Sequence, residues 1–323
     1  MSSVPSVAVV IPTVCRPDLL QRAIRSATNQ TQPAAEIVVV VDGGDEGTIA
    51  MLRSRAIPSV SVISVPEKVG TAEARNIAIR ATKCDWIAFL DDDDEWFPEK
   101  LERQYQAALS SKRKYPIVFS RVSVRTPHGE FIMPRRGPLP DEGVCNYLFC
   151  RKTIFPGEVL LQSSNLFAPR SLLLQVPLRA GQRKWEDTDW LLRTQFIEGA
   201  GLEFVPSVLS VWHSEDSRRH TMSGSLDSQY LFDWAVSNRE LFNDRGYSGV
   251  MLVRIAQEAA RHRATNLFKP IIREAVKHGS PDLIQVTWFL CGALPMTFLS
   301  DDMLSAFRKT LRRIGDRLRP HYK

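Results

Sequence analysis

The densest run of reactive side chains in the sequence is Asp91-Asp92-Asp93-Asp94, with Glu95 directly after it. Four adjacent carboxylates repel one another, so packing them closely calls for cations or solvent. Mg²⁺ and Mn²⁺ take hard oxygen ligands, commonly one or two carboxylates completed by waters and phosphate oxygens. A carboxylate pair at the end of a rigid strand supplies such ligands and leaves room for a diphosphate. The same run also suits a solvated acidic turn before a helix near Pro98, because a helix N-terminus favours negative charge. Both readings stand at this level.

Positioning those acids requires a strand, and the apolar run Trp86–Leu90 leads straight into them. It is the fourth of a series. Val7–Ile11, Glu36–Val41 and Val60–Val65 are short β-branched runs, while Asp18–Asn29, Asp45–Arg55 and Thr71–Thr82 carry helical spacing. Pro98 suits the first turn of a further helix through Leu109. This alternation predicts βαβ units and an α/β fold: a mostly parallel sheet with helices on both faces. Such sheets bind ligands at the carboxyl ends of their strands. Thr13, Asp42 and Asp91–Asp94 all sit at such ends. Asp42 before Gly43-Gly44 is also an ordinary turn former, and Thr13 after Pro12 equally suits a plain loop.

Farther along, Ile117–Val124, Leu160–Ala168 and Val208–Trp212 read as strands, Thr126–Asp141 as a loop, and Glu186–Glu198 as a helix. From Leu226 the pattern turns helical: Asp227–Asn243, Val250–Arg263, Lys269–His278, Pro281–Leu294 and Asp302–Arg313. The expected organisation is therefore an α/β domain over 1–225 and a helical region over 226–323.

Four segments, VAVVIPTVCRPDLLQRAIRSATNQT, EIVVVVDGG, VGTAEARNIAI and WIAFLDDDDEWFPEKLE, resemble the family 2 glycosyltransferases of the GT-A (Rossmann-like) fold. They occur in the family's order and at its spacing, across about the first hundred residues. The resemblance implies a nucleotide-sugar-binding half with a DxD-type motif, matched by Asp91, Asp92 and Asp93, and a divalent cation, Mn²⁺ or Mg²⁺. Asp93 matches the direct metal ligand, and Asp92 a group facing the ribose or a metal-bound water. Asp42 matches the carboxylate that reads the uracil edge or ribose, although Val41 stands where the family often has a second acid. Thr13 lies where the first loop meets the nucleoside, and Arg75 matches an arginine near the nucleotide; a solvated helix face is the plain alternative for Arg75.

The resemblance further implies a general base. The family carries a Glu-Asp pair at the start of a helix beyond the DxD. Glu186-Asp187 matches it, with Asp187 94 positions after Asp93. Capping of that helix is compatible with the same two acids; Asp189 is expected on the other side of the turn. His213 matches a histidine near the metal and diphosphate, against the plain reading of a structural histidine. Arg218, Arg219 and His220 would close over the diphosphate, or form a solvated basic loop. The implied reaction is inverting transfer of a sugar from a nucleoside-diphosphate donor, UDP-linked, to a hydroxyl of a glycan or lipid-linked acceptor, as in bacterial surface-polysaccharide assembly. The alternatives are a nucleotidyltransferase, which would want a glycine-rich first loop that Thr13–Pro17 lacks, and a non-catalytic scaffold, against which Asp93 and Asp187 argue.

Composition bounds these readings. A chain of 323 residues, 44% hydrophobic and 24% charged, can bury a sizeable core. A net charge of +6 is too modest to mark the whole chain as a nucleic-acid binder. Cys15, Cys84, Cys145, Cys150 and Cys291 show no paired metal spacing, and the start MSSVPSVAVVIPT has no secretory pattern, so the expectation is a cytoplasmic protein. No apolar stretch reaches the ~18–20 residues of a membrane span. Val286–Leu299 reads as a buried helix. Ser305–Arg319 sets six basic residues beside Phe307, Leu311, Ile314 and Leu318. It is either a solvated terminal helix or a peripheral contact with the inner face of the membrane.

Overall fold

The computed structural model describes residues 6–55, 57, 59–127, 129–214 and 226–296. Among the described residues nine strands form one sheet: β1 (Val7–Thr13), β2 (Glu36–Asp42), β3 (Val60–Val65), β4 (Trp86–Phe89), β5 (Glu95–Trp96), β6 (Tyr115–Thr126), β7 (Gly129–Met133), β8 (Phe167–Pro169) and β9 (Ala200–His213). Their order is β3-β2-β1-β4-β8-β6-β9-β5, with β7 hairpinned onto β6. β1 pairs in parallel with β2 and β4, and β2 with β3. Beyond β4 the sheet is mixed: β8 runs antiparallel to β4 and β6, while β6 and β9 pair in parallel.

The parallel part forms as it does because its strands are apolar on both faces; every residue of β1 is buried. α1 (Pro17–Thr28) begins on a proline and buries Leu20, Ala23, Ile24 and Ala27, an i, i+3, i+4, i+7 stripe. Burying a Leu or Ile side chain stabilises by roughly 1.5–3 kcal/mol, so Ile24→Asp would break this docking. α2 (Glu46–Arg55) contributes Ile49 and Leu52 to the same core. α3 (Thr71–Ala81) buries Ala72, Ala78 and Ile79, but also Arg75 and Asn76. A helix with only a packing role would not bury an arginine. α4 (Lys100–Ser110) packs through Leu101, Tyr105 and Ala108.

Three segments differ from the sequence reading. The expected loop 126–141 contains β7, a short exposed edge strand. The expected strand 160–168 shrinks to Phe167–Pro169, because Gln162 and Asn165 cap a tight turn over Ser163–Asn165. β9 extends over fourteen residues, taking in Glu203 and Pro206 through irregular pairing near Ser120 and Arg121.

The chain divides into two compact units: Met1–Pro138 with Leu161–His220, and Leu139–Leu160 with Thr221–Lys323. Residues 139–160 thus group with the C-terminal helices rather than with the expected 1–225 domain. The reason is close packing within the second unit. α5 (Val144–Phe149) lies against the helix Asp244–Gly249. A Cβ on Gly249 would lie 2.1 Å from the Phe149 carbonyl oxygen, and one on Gly246 2.2 Å from the Cys145 sulfur. Phe149 and Tyr247 both pack on Phe242, with ring centroids 5.6 and 5.9 Å away. The remaining helices of this unit include Leu226–Ser237, Phe268–Lys277 and Leu283–Trp288. Among the described residues no helix is long and apolar enough to cross a membrane. The expected helices over 302–313 and 305–319 lie outside the described residues.

Candidate active site

All the acids singled out from the sequence lie in the first unit, at the carboxyl ends of β1, β2 and β4 or close in space to them. β4 stops at Phe89, and the acidic run turns back on itself through the Asp94 N–H donating to the Asp91 carbonyl at 3.1 Å. β5 follows and pairs with β9, Glu95 opposite Val211. That pairing brings His213 to the acids.

Asp92 is fully buried and Asp93 and Asp94 nearly so. Thr13 Oγ1 donates to Asp92 Oδ2 at 2.6 Å, and Arg16 Nε donates to the same oxygen at 3.1 Å. The Arg16 guanidinium spans two acids, its Nη2 on Asp92 and its Nη1 3.1 Å from Asp93 Oδ2. Arg22 on α1 donates to the Asp93 carbonyl at 2.5 Å. Asp94 accepts the backbone N–H of His213 at 3.2 Å. The His213 ring turns its Nε2 to Glu95 Oε1, 2.7 Å away.

Asp91 is the most exposed of the four, with 30% of its side chain accessible. Buried Arg75 donates Nη2 to Asp91 Oδ1 and Nη1 to Glu186 Oε1, the latter at 3.2 Å. Its Nε has no hydrogen-bond partner among the described residues. Arg75 therefore ties the end of β4 to the start of α6 (Glu186–Thr194). Asp187 is partly buried beside Glu186 and accepts the Thr188 N–H at 2.7 Å. Asp189 is fully buried and bonds Arg179 and Arg193 instead, on the other side of the turn.

The electrostatics follow from an imbalance. Asp91–Asp94, Glu95, Glu186 and Asp187 share three arginines, Arg16, Arg22 and Arg75. Burial, with like-charge neighbours, pushes the Asp92 carboxyl up to about 7, against the pull of Arg16 and Thr13. Burial and Asp91 likewise raise Asp93, and burial and Asp93 raise Asp94. Burial and Glu186 raise Asp187 to about 6, with Arg75 opposing. Excess buried carboxylate is what an incoming cation or a proton would neutralise. Among the described residues no three His, Cys, Asp or Glu side chains are arranged to hold a metal ion by themselves. The donor set is nonetheless hard oxygen, and it already wraps a cationic guanidinium at Asp92 and Asp93. That chemistry fits a divalent ion held by one or two carboxylates, with other ligands from substrate and water.

Asp42 differs. It is 2% exposed, and its two oxygens accept the N–H groups of Val69 and Gly70 at 2.7 and 2.9 Å. It fastens the loop before α3. Each carboxylate oxygen keeps a second lone pair.

Sequence reasoning did not pick out Arg16, Arg22 or Ser164, whose hydroxyl accepts the Asp91 N–H at 3.0 Å. One signal bears on Arg16: it follows Cys15, which adopts φ 46. Trp185 adopts φ 59 directly before Glu186. Left-handed backbone at a non-glycine residue costs on the order of 1–3 kcal/mol and clusters at functional sites. Both residues turn the chain so that the next side chain enters the site. The expected diphosphate-closing residues Arg218, Arg219 and His220 lie outside the described residues.

Residues 8–144, which hold the strand-end acids and Arg75, match the protein-family model described as glycosyl transferase family 2. They belong to that family. The chain is 32% identical over 104 residues to the putative teichuronic acid biosynthesis glycosyltransferase TuaG of Bacillus subtilis (strain 168), covering 32% of this chain and 41% of TuaG. The putative glycosyltransferase EpsE of the same strain is 27% identical over 274 residues, 80% of this chain and 92% of EpsE. TarS 1–349 of S. aureus has the same fold: its TM-score is 0.55 at 14% identity, covering 98% of this chain and 93% of that chain. Crystal structures of TarS 1–349 also exist in complex with UDP-GlcNAc and with UDP. The first unit is thus a GT-A fold with C-terminal helices following. The chain spans 31–41% of the length of TuaG and two further curated relatives.

Proposed function

We propose that the chain is an inverting glycosyltransferase that moves a sugar from a nucleoside-diphosphate sugar, UDP-linked, to a hydroxyl of a glycan or lipid-linked acceptor. The observation that carries the reading is Arg75. One buried guanidinium bonds Asp91 at the end of β4 and Glu186 beside Asp187. A strand end suited to holding a diphosphate and a helix start suited to taking a proton therefore share one site. The TarS complexes support a UDP donor, and TuaG supports a role in bacterial surface-polysaccharide assembly. A cytoplasmic location follows from such a donor, with 305–319 as the candidate membrane contact.

Thr13, Asp42 and Asp92 would bind the nucleoside side of the donor, with Arg75 holding Asp91 in place. Asp93 would hold Mn²⁺ or Mg²⁺, with Asp91 nearby and His213 available through Nδ1. When bound, the ion supplies neutralisation of charge on the departing diphosphate. Asp187 accepts the acceptor's hydroxyl proton as that oxygen bonds to the anomeric carbon. The bond from that carbon to the diphosphate oxygen breaks, and its electron pair leaves with the diphosphate. Attack from the opposite face inverts the carbon. A carboxyl raised to about 6 is a stronger base than an ordinary aspartate while remaining ionised at neutral pH.

The test is a thermal-shift screen of nucleotide sugars with and without Mn²⁺, followed by product analysis. A ligand at a hundred times its dissociation constant stabilises the folded state by about 2.7 kcal/mol. The expected result is metal-dependent stabilisation by a UDP-sugar, and a transferred sugar of inverted configuration. Retained configuration, or a nucleotide bound among the C-terminal helices, overturns the reading.

A further inference from the structure

The C-terminal unit carries a surface that the proposed reaction does not use. The helix Phe268–Lys277 buries Phe268, Ile271 and Ala275. At about 3.6 residues per turn, Lys269, Ile272, Arg273, Val276 and Lys277 fall on the opposite side, and all five are exposed. The side chains of Lys269, Arg273 and Lys277 form no ion pair or hydrogen bond among the described residues. The one acid of this helix, Glu274, accepts the hydroxyl of buried Tyr247 at 2.9 Å and so turns away from them. Three unneutralised cations thus stand beside two exposed branched side chains, Val276 being 63% exposed. The helical stretch 283–296 is the neighbour, with the Phe289 and Phe268 ring centroids 5.5 Å apart. It contains no charged residue and buries Gln285, Phe289 and Ala293 along one side. Leu283 and Leu290, an i, i+7 pair on another side, stay 81% and 52% exposed.

We propose that these two helices form a peripheral contact with an anionic membrane surface. Exposed leucines gain nothing from water, and a nucleic acid would neutralise the cations but offer the leucines no apolar phase. A lipid surface supplies both. Its anionic headgroups complement Lys269, Arg273 and Lys277, and its acyl boundary takes Ile272, Val276, Leu283 and Leu290. The long stems of lysine and arginine let their charges stay among the headgroups while apolar neighbours sit deeper. Two signals are needed because one weak anchor binds only marginally and reversibly. The contact is separate from the segment 305–319. It does not rest on the transferase reading; only its use does, which is to bring the chain to a lipid-linked acceptor.

The experiment is flotation of the full chain with vesicles of phosphatidylcholine alone or mixed with phosphatidylglycerol. Wild type is expected to float with the mixed vesicles and to be released by salt. Lys269→Gln, Arg273→Gln and Lys277→Gln together should weaken binding about a hundredfold, at about fivefold per basic residue. Leu283→Ser with Leu290→Ser should weaken it at least about tenfold. Val276→Phe, which adds apolar area, should tighten it severalfold, an outcome that a misfolded variant cannot give. All these positions are exposed, and circular dichroism should match wild type. The segment 305–319 is intact in every variant, so binding that survives both sets of substitutions belongs to another surface and overturns the proposal. No flotation of wild type overturns it too, as does a dimer in sedimentation that Leu283→Ser dissociates while vesicles are ignored. In transfer assays, the triple variant should raise the KM for a vesicle-borne acceptor and leave that for a soluble one unchanged. Equal KM values for both acceptors would remove the proposed use. Should no sugar transfer be found at all, flotation still decides the contact.

Discussion

β2 and β4 are both apolar strands that end in acid, yet the two ends are built in opposite ways. At the β2 end, Asp42 takes its partners from two consecutive backbone N–H groups of one loop, Val69 and Gly70. At the β4 end, the carboxylates of Asp91, Asp92 and Asp93 take theirs from side chains on other elements: Thr13, Arg16 and Arg75. The first arrangement gives each oxygen one amide and fixes a loop, leaving a second lone pair on each oxygen. The second leaves more carboxylate than cation, with Asp92 pushed up to about 7 by burial. Unbalanced buried charge marks where a cation or a proton can enter, whereas an acid held by neighbouring amides fixes the shape of the loop around it.

The strongest way to break this contrast is Asp93→Ala. Transfer should fall to background, and metal-dependent donor binding should disappear, while circular dichroism and melting stay close to wild type. Full turnover of this variant in the presence of chelator would remove the metal reading. Next is Asp187→Asn, which keeps the size of the side chain and caps a helix equally well but cannot take the proton. General-base catalysis is worth about 10²–10⁴-fold, so turnover should drop by that order at unchanged donor affinity. Near-normal turnover would leave Asp187 as a cap and shift attention to Glu186.

The pH profile gives a smaller effect. Asp187 must be ionised to act, and burial and Glu186 raise its carboxyl to about 6. kcat/KM should therefore be flat above that value and fall about tenfold per pH unit below it. An acid limb near 4, the range of an ordinary aspartate, would contradict the assignment. The smallest catalytic effect belongs to the β2 end. Asp42→Asn can no longer serve both N–H groups as acceptor and should cost on the order of 1–3 kcal/mol of stability. Amide exchange at Val69 and Gly70 should accelerate, and donor KM should rise a few-fold with kcat little changed. A collapse of kcat with unchanged melting would invert the comparison.

The parallel half of the sheet was legible because each of its signals is local. Apolar runs and helical stripes placed β1 through α3 within one or two residues of the expected bounds. The acids were legible for the same reason, since Asp91–Asp94 and Glu186-Asp187 are short words read in one glance. Their pairings were not. Arg16 lies 76 positions from Asp92, and Arg75 lies 111 from Glu186; only the fold brings them together, and an isolated arginine on a helix looks the same whether solvated or buried. β9 was hidden by Glu203 and Pro206, which break its alternation, and β7 by its brevity and exposure. The excursion 139–160 was hidden because its packing rests on Gly246 and Gly249, about a hundred residues downstream, where a glycine reads as a helix weakness rather than as a seat for another backbone.

That excursion sets a timetable for synthesis. A ribosome finishes residue 160 some 84 residues before it reaches Asp244, the start of the helix that α5 packs against; at about 5–20 residues per second the wait is roughly 4–17 s. Through that interval Val144, Tyr147 and Phe149, all buried in the finished protein, have no helix at 244–249 to cover them. Any fragment ended before Asp244 makes that interval permanent, so a shortened chain made to isolate the α/β unit would carry an uncovered apolar strip and should be cut without residues 139–160 or not at all.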